Sequence, residues 1–158
     1  MHIRPANFTD RDAVLQWMNT EALWAMDCPE PFSEKSVEEF DPRWSELVKL
    51  ESAWMIEVDQ KPVGHFGWVP HGVCMGEFYI VIGESSQWRK GIGQVAVQWM
   101  LDAARGRDML ALFGRVLGHN IHALSFFARC GFQPFAKAEG YFERDGKRHD
   151  LHWIVQHL

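Results

Sequence analysis

Arg89, Lys90, Gly91 and Gly93 fall within the stretch WRKGIG, residues 88–93, between an apolar run, EFYIVIG (77–83), and the helix-like VAVQWMLDAA (95–104). Bare backbone N–H groups at the start of a helix form a cradle for phosphate, and glycine permits both close approach and positive φ. The two cations add local positive charge to a chain of formal net charge -5. A tight turn that only joins two elements uses the same residues, and GxG alone does not choose between these readings. No GK[ST] follows, so the stretch is not a P-loop. It is not a dinucleotide fingerprint either, because the spacing fails and no early βαβ unit precedes it. Just upstream, strand alternation puts Glu77, Tyr79 and Val81 on one face and Phe78, Ile80 and Ile82 on the other. His119 and His122, three apart near a helix start, raise a metal site. No acidic or cysteine partner has ligand spacing, so helix-end histidines are the better account.

The elements that must position these groups follow from periodicity and punctuation. HIRPA (2–6) is a short strand. TDRD (9–12) opens a helix with Thr9 as cap and Asp12 at the third position, and Val14, Leu15, Trp17 and Met18 form its apolar stripe. ALWAMDCPEPF (22–32) is irregular, because Pro29 and Pro31 bar a continuous helix. A second helix starts at Ser36 with a capping-box spacing to Glu39, and Pro42 breaks or restarts it. AWMIEV (53–58), VGHFGWV (63–69) and EFYIVIG are strands. Ile92, Val95, Ala96, Trp99, Met100 and Ala103 mark a buried helix face, ended at Arg105 and Gly106. MLALFGRVL (109–117) is a strand, NIHALSFFARCG (120–131) a helix capped by Asn120, and the tail from Ala138 a hairpin turning at RDGK (144–147). The order is helix-rich, then strands, then β-α-β-α-β-β, which is an α+β arrangement with a mixed sheet.

The 158 residues suit one core, with 47% apolar and 23% charged residues. An acidic balance, with a pI of about 5.9, argues against a general nucleic-acid binder, which needs a basic face. Cys28, Cys74 and Cys130 are distant and odd in number, so reduced thiols and a cytoplasmic location are expected. The N-terminal stretch shows no apolar signal core, and the longest apolar run, 74–83, is too short to cross a bilayer and contains Glu77.

WRKGIG followed by NIHALSFFARCGF (120–132) resembles the two signature motifs of the GNAT superfamily of N-acetyltransferases. The first is similar to its acetyl-CoA pyrophosphate loop, [QR]xxGxG/A. The second is similar to its Nxx[AS]xx(F/L)YxxxGF helix. The resemblance extends from IRPA to the final hairpin. It implies a single N-acetyltransferase domain over residues 1–158, of α+β class, with a mostly antiparallel central sheet flanked by helices and splayed fourth and fifth strands. Trp88 stands at the loop position usually held by Gln or Arg, as in branches similar to ribosomal-protein and nucleotide-sugar acetyltransferases. The segment LQWMNTEALWAM (15–26) has a looser likeness to enzymes that acetylate aminoglycosides and amino-sugars.

By this resemblance the backbone of Trp88, Arg89, Lys90, Gly91, Ile92, Gly93 and Gln94 holds the pyrophosphate of acetyl-CoA. The strand end at Val81, Ile82 and Gly83 pairs with pantetheine, and a backbone N–H there stabilises the developing oxyanion. Asn120 contacts pantetheine or caps its helix, and Phe127 and Arg129 lie beside the cofactor. Phe127 occupies the place of the family's usual acid, a tyrosine, so that hydroxyl is missing. Glu77 is the expected base that deprotonates the amine, with a pKa raised by burial; the alternative is a strand-end charge facing solvent. Tyr79 is the better of the two tyrosines for replacing the acid, ahead of Tyr141, and otherwise packs across strands. Trp24 and Asp27 stand in the family's acceptor wall, where an aromatic beside a carboxylate suits a cationic amine. The expected activity is acetyl transfer to a primary amine of a small molecule by direct attack. Acetylation of a protein N-terminus or lysine is the alternative within enzymes, and a non-catalytic acyl-CoA sensor the alternative outside them. No metal, nucleic acid or membrane is implied. A homodimer is compatible with the family, and no sequence feature fixes one.

Overall fold

The computed structural model describes residues 1–158. β1 (His2–Pro5) leads into a 3-10 turn, Phe8–Asp10, and then α1 (Arg11–Met18). Asn7, not Thr9, makes the cap: its side chain accepts from Thr9 N at 2.9 Å, and Asp10 accepts from Asn7 N at 2.8 Å. The box shifts two residues upstream because Asp10 is buried and gripped by the two terminal guanidinium nitrogens of Arg4, at 2.7 and 2.8 Å.

α2 (Glu21–Asp27) is a helix where irregular chain was expected. The prolines at 29 and 31 lie beyond its end, so they stop the helix without preventing it. α3 (Val37–Lys49) has the expected Ser36–Glu39 capping box and runs unbroken through Pro42. Proline removes one N–H from the helical ladder, and burial of Phe40, Trp44 and Leu47 on the inner face holds the turn in place.

β2 (Ala53–Val58), β3 (Lys61–His71) and β4 (Met75–Ile82) form an antiparallel meander. A 3-10 turn, Ser85–Gln87, precedes α4 (Ile92–Arg105). β5 (Ala111–Leu117), α5 (Ile121–Arg129) and the hairpin β6 (Gln133–Arg144) and β7 (Lys147–His157) complete the chain. The hairpin turns at Asp145 and Gly146, both with positive φ, as an Asp-Gly pair allows.

The seven strands lie in the order β1-β2-β3-β4-β5-β7-β6. All neighbours are antiparallel except β4 and β5. One face packs on α4 and on Phe127 of α5; the other, smaller core joins α1 and α3 to Ala53 and Met55. No helix is long and apolar enough to cross a membrane.

The junction of β4 with β5 positions the site. Their parallel ladder covers only Met75–Glu77 against Ala111–Phe113, whereas β4 stays paired with β3 as far as Ile82. Beyond Glu77 the two strands part. Phe78 fills the fork: its ring contacts Phe127 and Phe132 at 5.0 and 4.7 Å, and lies so near Gly114 that a Cβ there would be 2.6 Å away.

Candidate active site

A cleft of about 1270 Å³ occupies the fork and continues under α1, α2 and α3. On one side lies the glycine turn. Gly91, at φ 80°, is the N-cap residue of α4, and no side chain caps that helix. Its first-turn N–H groups are therefore left for a ligand, with the positive end of the helix dipole behind them. Arg89 also has a positive φ, 61°. The Trp88 indole donates to Ile82 O at 2.8 Å, which ties the turn to the end of β4. Trp88, Arg89, Gly91, Ile92, Gly93 and Gln94 all line the cleft; exposed Lys90 is held by the Gln87 side chain at 3.4 Å. The open edge of β4, with Val81 and Ile82 on the wall and Gly83 next, faces the same space. These residues fit the long anionic tail and amide-bearing arm of acetyl-CoA.

Glu77 stands at the fork. Arg115 donates to one carboxylate oxygen at 2.6 Å, and His71 lies 3.4 Å from the other. The side chain is 22% exposed. Its setting therefore differs from the isolated carboxylate in an apolar run that the sequence implied. Tyr79, two residues on and on the same face, has its hydroxyl buried with no partner, and burial pushes its pKa above the ordinary value. Tyr141 also lines the cleft, but its side chain is exposed.

Trp24 and Asp27 both reach the cleft from α2. The Trp24 indole is committed to Glu30 O at 2.9 Å. Asp27 itself is solvent-exposed; the cleft walls around it favour its neutral form, which Arg115 and Arg43 oppose. Asn120 caps α5 by accepting from Ala123 N at 3.1 Å, and its amide also donates to Met26 O at 3.1 Å. That second bond belongs to a clamp on the C-terminal end of α2. Arg144 donates to Ala25 O, and at 2.7 Å to Cys28 O, while the His119 ring nitrogen lies 2.9 Å from Ala25 O. His119 thus serves α2. Phe127 is 7% exposed and sits among Phe78, Phe126 and Phe132, so the usual acid's position is a core phenyl ring at the cleft wall. Arg129 lines the cleft near the end of α5.

Four residues of this cleft escape a reading of the sequence. Arg43 and Arg115 bring cations to the acceptor side, and Trp44 and His65 form its inner wall. His65 stacks on Trp17 at 6.0 Å, meets the edge of Trp44 at 6.3 Å and lies 5.4 Å from Tyr79. Burial lowers its pKa to about 4, so the imidazole is neutral. The one available signal was its place in VGHFGWV: a histidine between Gly64 and Phe66, within an otherwise apolar strand.

Comparison with known proteins agrees with this geometry. YwnH of Bacillus subtilis (strain 168), a candidate phosphinothricin acetyltransferase by its name, is 36% identical over 69 residues, a match covering 44% of this chain and 42% of that protein. The ribosomal-protein-alanine N-acetyltransferase of Brucella melitensis superposes with a TM-score of 0.86 at 18% identity, covering 100% of both chains. A phosphinothricin acetyltransferase of Sinorhizobium meliloti, solved with AcCoA, superposes with a TM-score of 0.87 at 13% identity, over 99% of this chain and 88% of that one. At these identities the superpositions establish the fold. The sequence profile of the Acetyltransferase (GNAT) family matches residues 17–132, and the chain belongs to that family.

Proposed function

We propose that the protein is an acetyl-CoA-dependent N-acetyltransferase that acts, as one domain over residues 1–158, on a primary amine of a small molecule. The observation that carries this reading is the meeting of three features in one cleft. An uncapped helix N-terminus at Gly91 adjoins an open strand edge at β4, and a carboxylate, Glu77, stands where that edge begins. When bound, acetyl-CoA supplies an activated acetyl thioester. The amides of Arg89 to Gln94 would hold its pyrophosphate, and the edge at Val81, Ile82 and Gly83 would hold its arm and offer an N–H to the carbonyl oxygen. Glu77 would take a proton from the acceptor's ammonium, directly or through water, leaving the free amine to attack, while Arg115 and His71 fix the carboxylate. Tyr79, the phenol nearest along the strand, would donate its O–H to the departing sulfur while its oxygen stays open to accept from the acceptor. Trp24 and Asp27 wall the acceptor.

Direct attack fits the cysteines. Burial pushes the Cys28 thiol up to about 11 and also raises Cys130, so neither is poised as a nucleophile. All three cysteines are free, which supports a reducing, cytoplasmic location.

Calorimetry with coenzyme A, followed by assay of released thiol with a panel of amines, tests the proposal. Binding and turnover are expected. Glu77→Gln should lower kcat about 100-fold with coenzyme A affinity unchanged. No heat with coenzyme A overturns the enzymatic reading; full activity in Glu77→Gln overturns the base.

A further inference from the structure

Of six buried side-chain polar atoms without a hydrogen-bond partner, four lie together: Trp44 Nε1, both ring nitrogens of His65, and Tyr79 Oη. Such atoms are rare in folded proteins, because each costs the hydration it has lost. Here three residues from α3, β3 and β4 converge, and all three line the cleft. His65 is 6% exposed and Trp44 1%. Trp17 closes the recess by stacking on His65, its own indole N–H being spent on Glu84 at 3.1 Å.

The chemistry of these atoms defines what can enter. Trp44 offers an N–H, the neutral His65 one N–H and one bare nitrogen, and Tyr79 a hydroxyl. An ammonium would meet the Trp44 N–H and the nearby charge of Arg43. A carboxylate would lose its water against the bare nitrogen of His65. An uncharged group that both donates and accepts satisfies the recess. Tyr79 is two residues from Glu77 on one strand face, a span of roughly 7 Å. We infer that this recess seats a hydroxyl or carboxamide of the acceptor, which is therefore a small amine with such a group a few bonds from its nitrogen. The inference rests on the reading of the cleft as the acceptor site of acetyl transfer.

Four probes of matched length test it with the full chain: 4-amino-1-butanol, pentylamine, 1,4-diaminobutane and 5-aminopentanoate, with 5-aminopentanamide as a fifth. Thiol release gives kcat/KM, and calorimetry on the protein saturated with coenzyme A gives affinity without turnover. The alcohol and the amide should exceed the other three by about tenfold or more in both. His65→Phe keeps the ring and removes its nitrogens; it should collapse that preference to within about twofold, leaving coenzyme A affinity unchanged. His65→Gln, which retains a donor and an acceptor, should keep part of the preference. A methyl, ammonium or carboxylate probe that matches or beats the alcohol overturns the inference, as does a preference that survives His65→Phe, or no binding of any probe at about 10 mM. Selective binding without turnover supports the recess and instead removes the catalytic reading.

Discussion

The indole of Trp17 lies so close over Gly83 that a Cβ there would stand 2.2 Å from its ring. Gly83 is required at this position for lack of space, its φ being unexceptional. Gly83→Ala should displace Trp17, cost about 1–3 kcal/mol in denaturant unfolding, and red-shift tryptophan emission; an unchanged midpoint and spectrum would show that the indole moves freely. Asp27→Asn should raise the acceptor's KM while leaving coenzyme A affinity alone, and unchanged kinetics would remove Asp27 from the acceptor wall. At this scale three local signals were legible, whereas the cap expected at Thr9 lies at Asn7. The caps at Ser36 and Asn120 and the turn at Asp145 and Gly146 depend on neighbours within three residues. His65 was illegible because its isolation is made by Trp17 and Trp44, which arrive from two separate helices.

α2 owes its place to residues far along the chain. Arg144, His119 and Asn120 occupy the carbonyls at its C-terminal end, where positive donors are favoured by the helix dipole. The Arg144 guanidinium is supported in turn by the Phe142 ring at 5.6 Å. Arg144→Ala should loosen the acceptor wall: amide exchange over residues 21–35 quickens, and the acceptor's KM rises several-fold (a loss on the order of 1 kcal/mol). Coenzyme A affinity should stay as it was. Equal exchange in variant and parent would show that α2 stands without the clamp. Periodicity cannot reveal such an element, because α2 buries no residue completely and two prolines follow it, at 29 and 31. The long helix α4 and the strands β2, β3 and β4 were legible, since each carries its own apolar pattern.

For the whole molecule, His65 links stability to acidity. Its pKa in the fold is about 4, against an ordinary value of 6.5. The unfolded chain therefore binds a proton that the fold refuses between those values, and stability falls as pH drops through that window. From pH 6.5 to 5 the loss is about 1.5 kcal/mol, visible as a lowered Tm, and His65→Phe should flatten that slope. The motif resemblance anticipated the divergence of the fourth and fifth strands, but not its cause, the Phe78 ring set against Gly114. Four strands lie on one side of that seam and three on the other, joined by a ladder of only three residue pairs. A guest lodged there adds rungs that the polypeptide itself omits. Occupancy should therefore stiffen the halves against each other, slowing deuterium uptake in 78–82 and 114–117 together and leaving the outer hairpin indifferent.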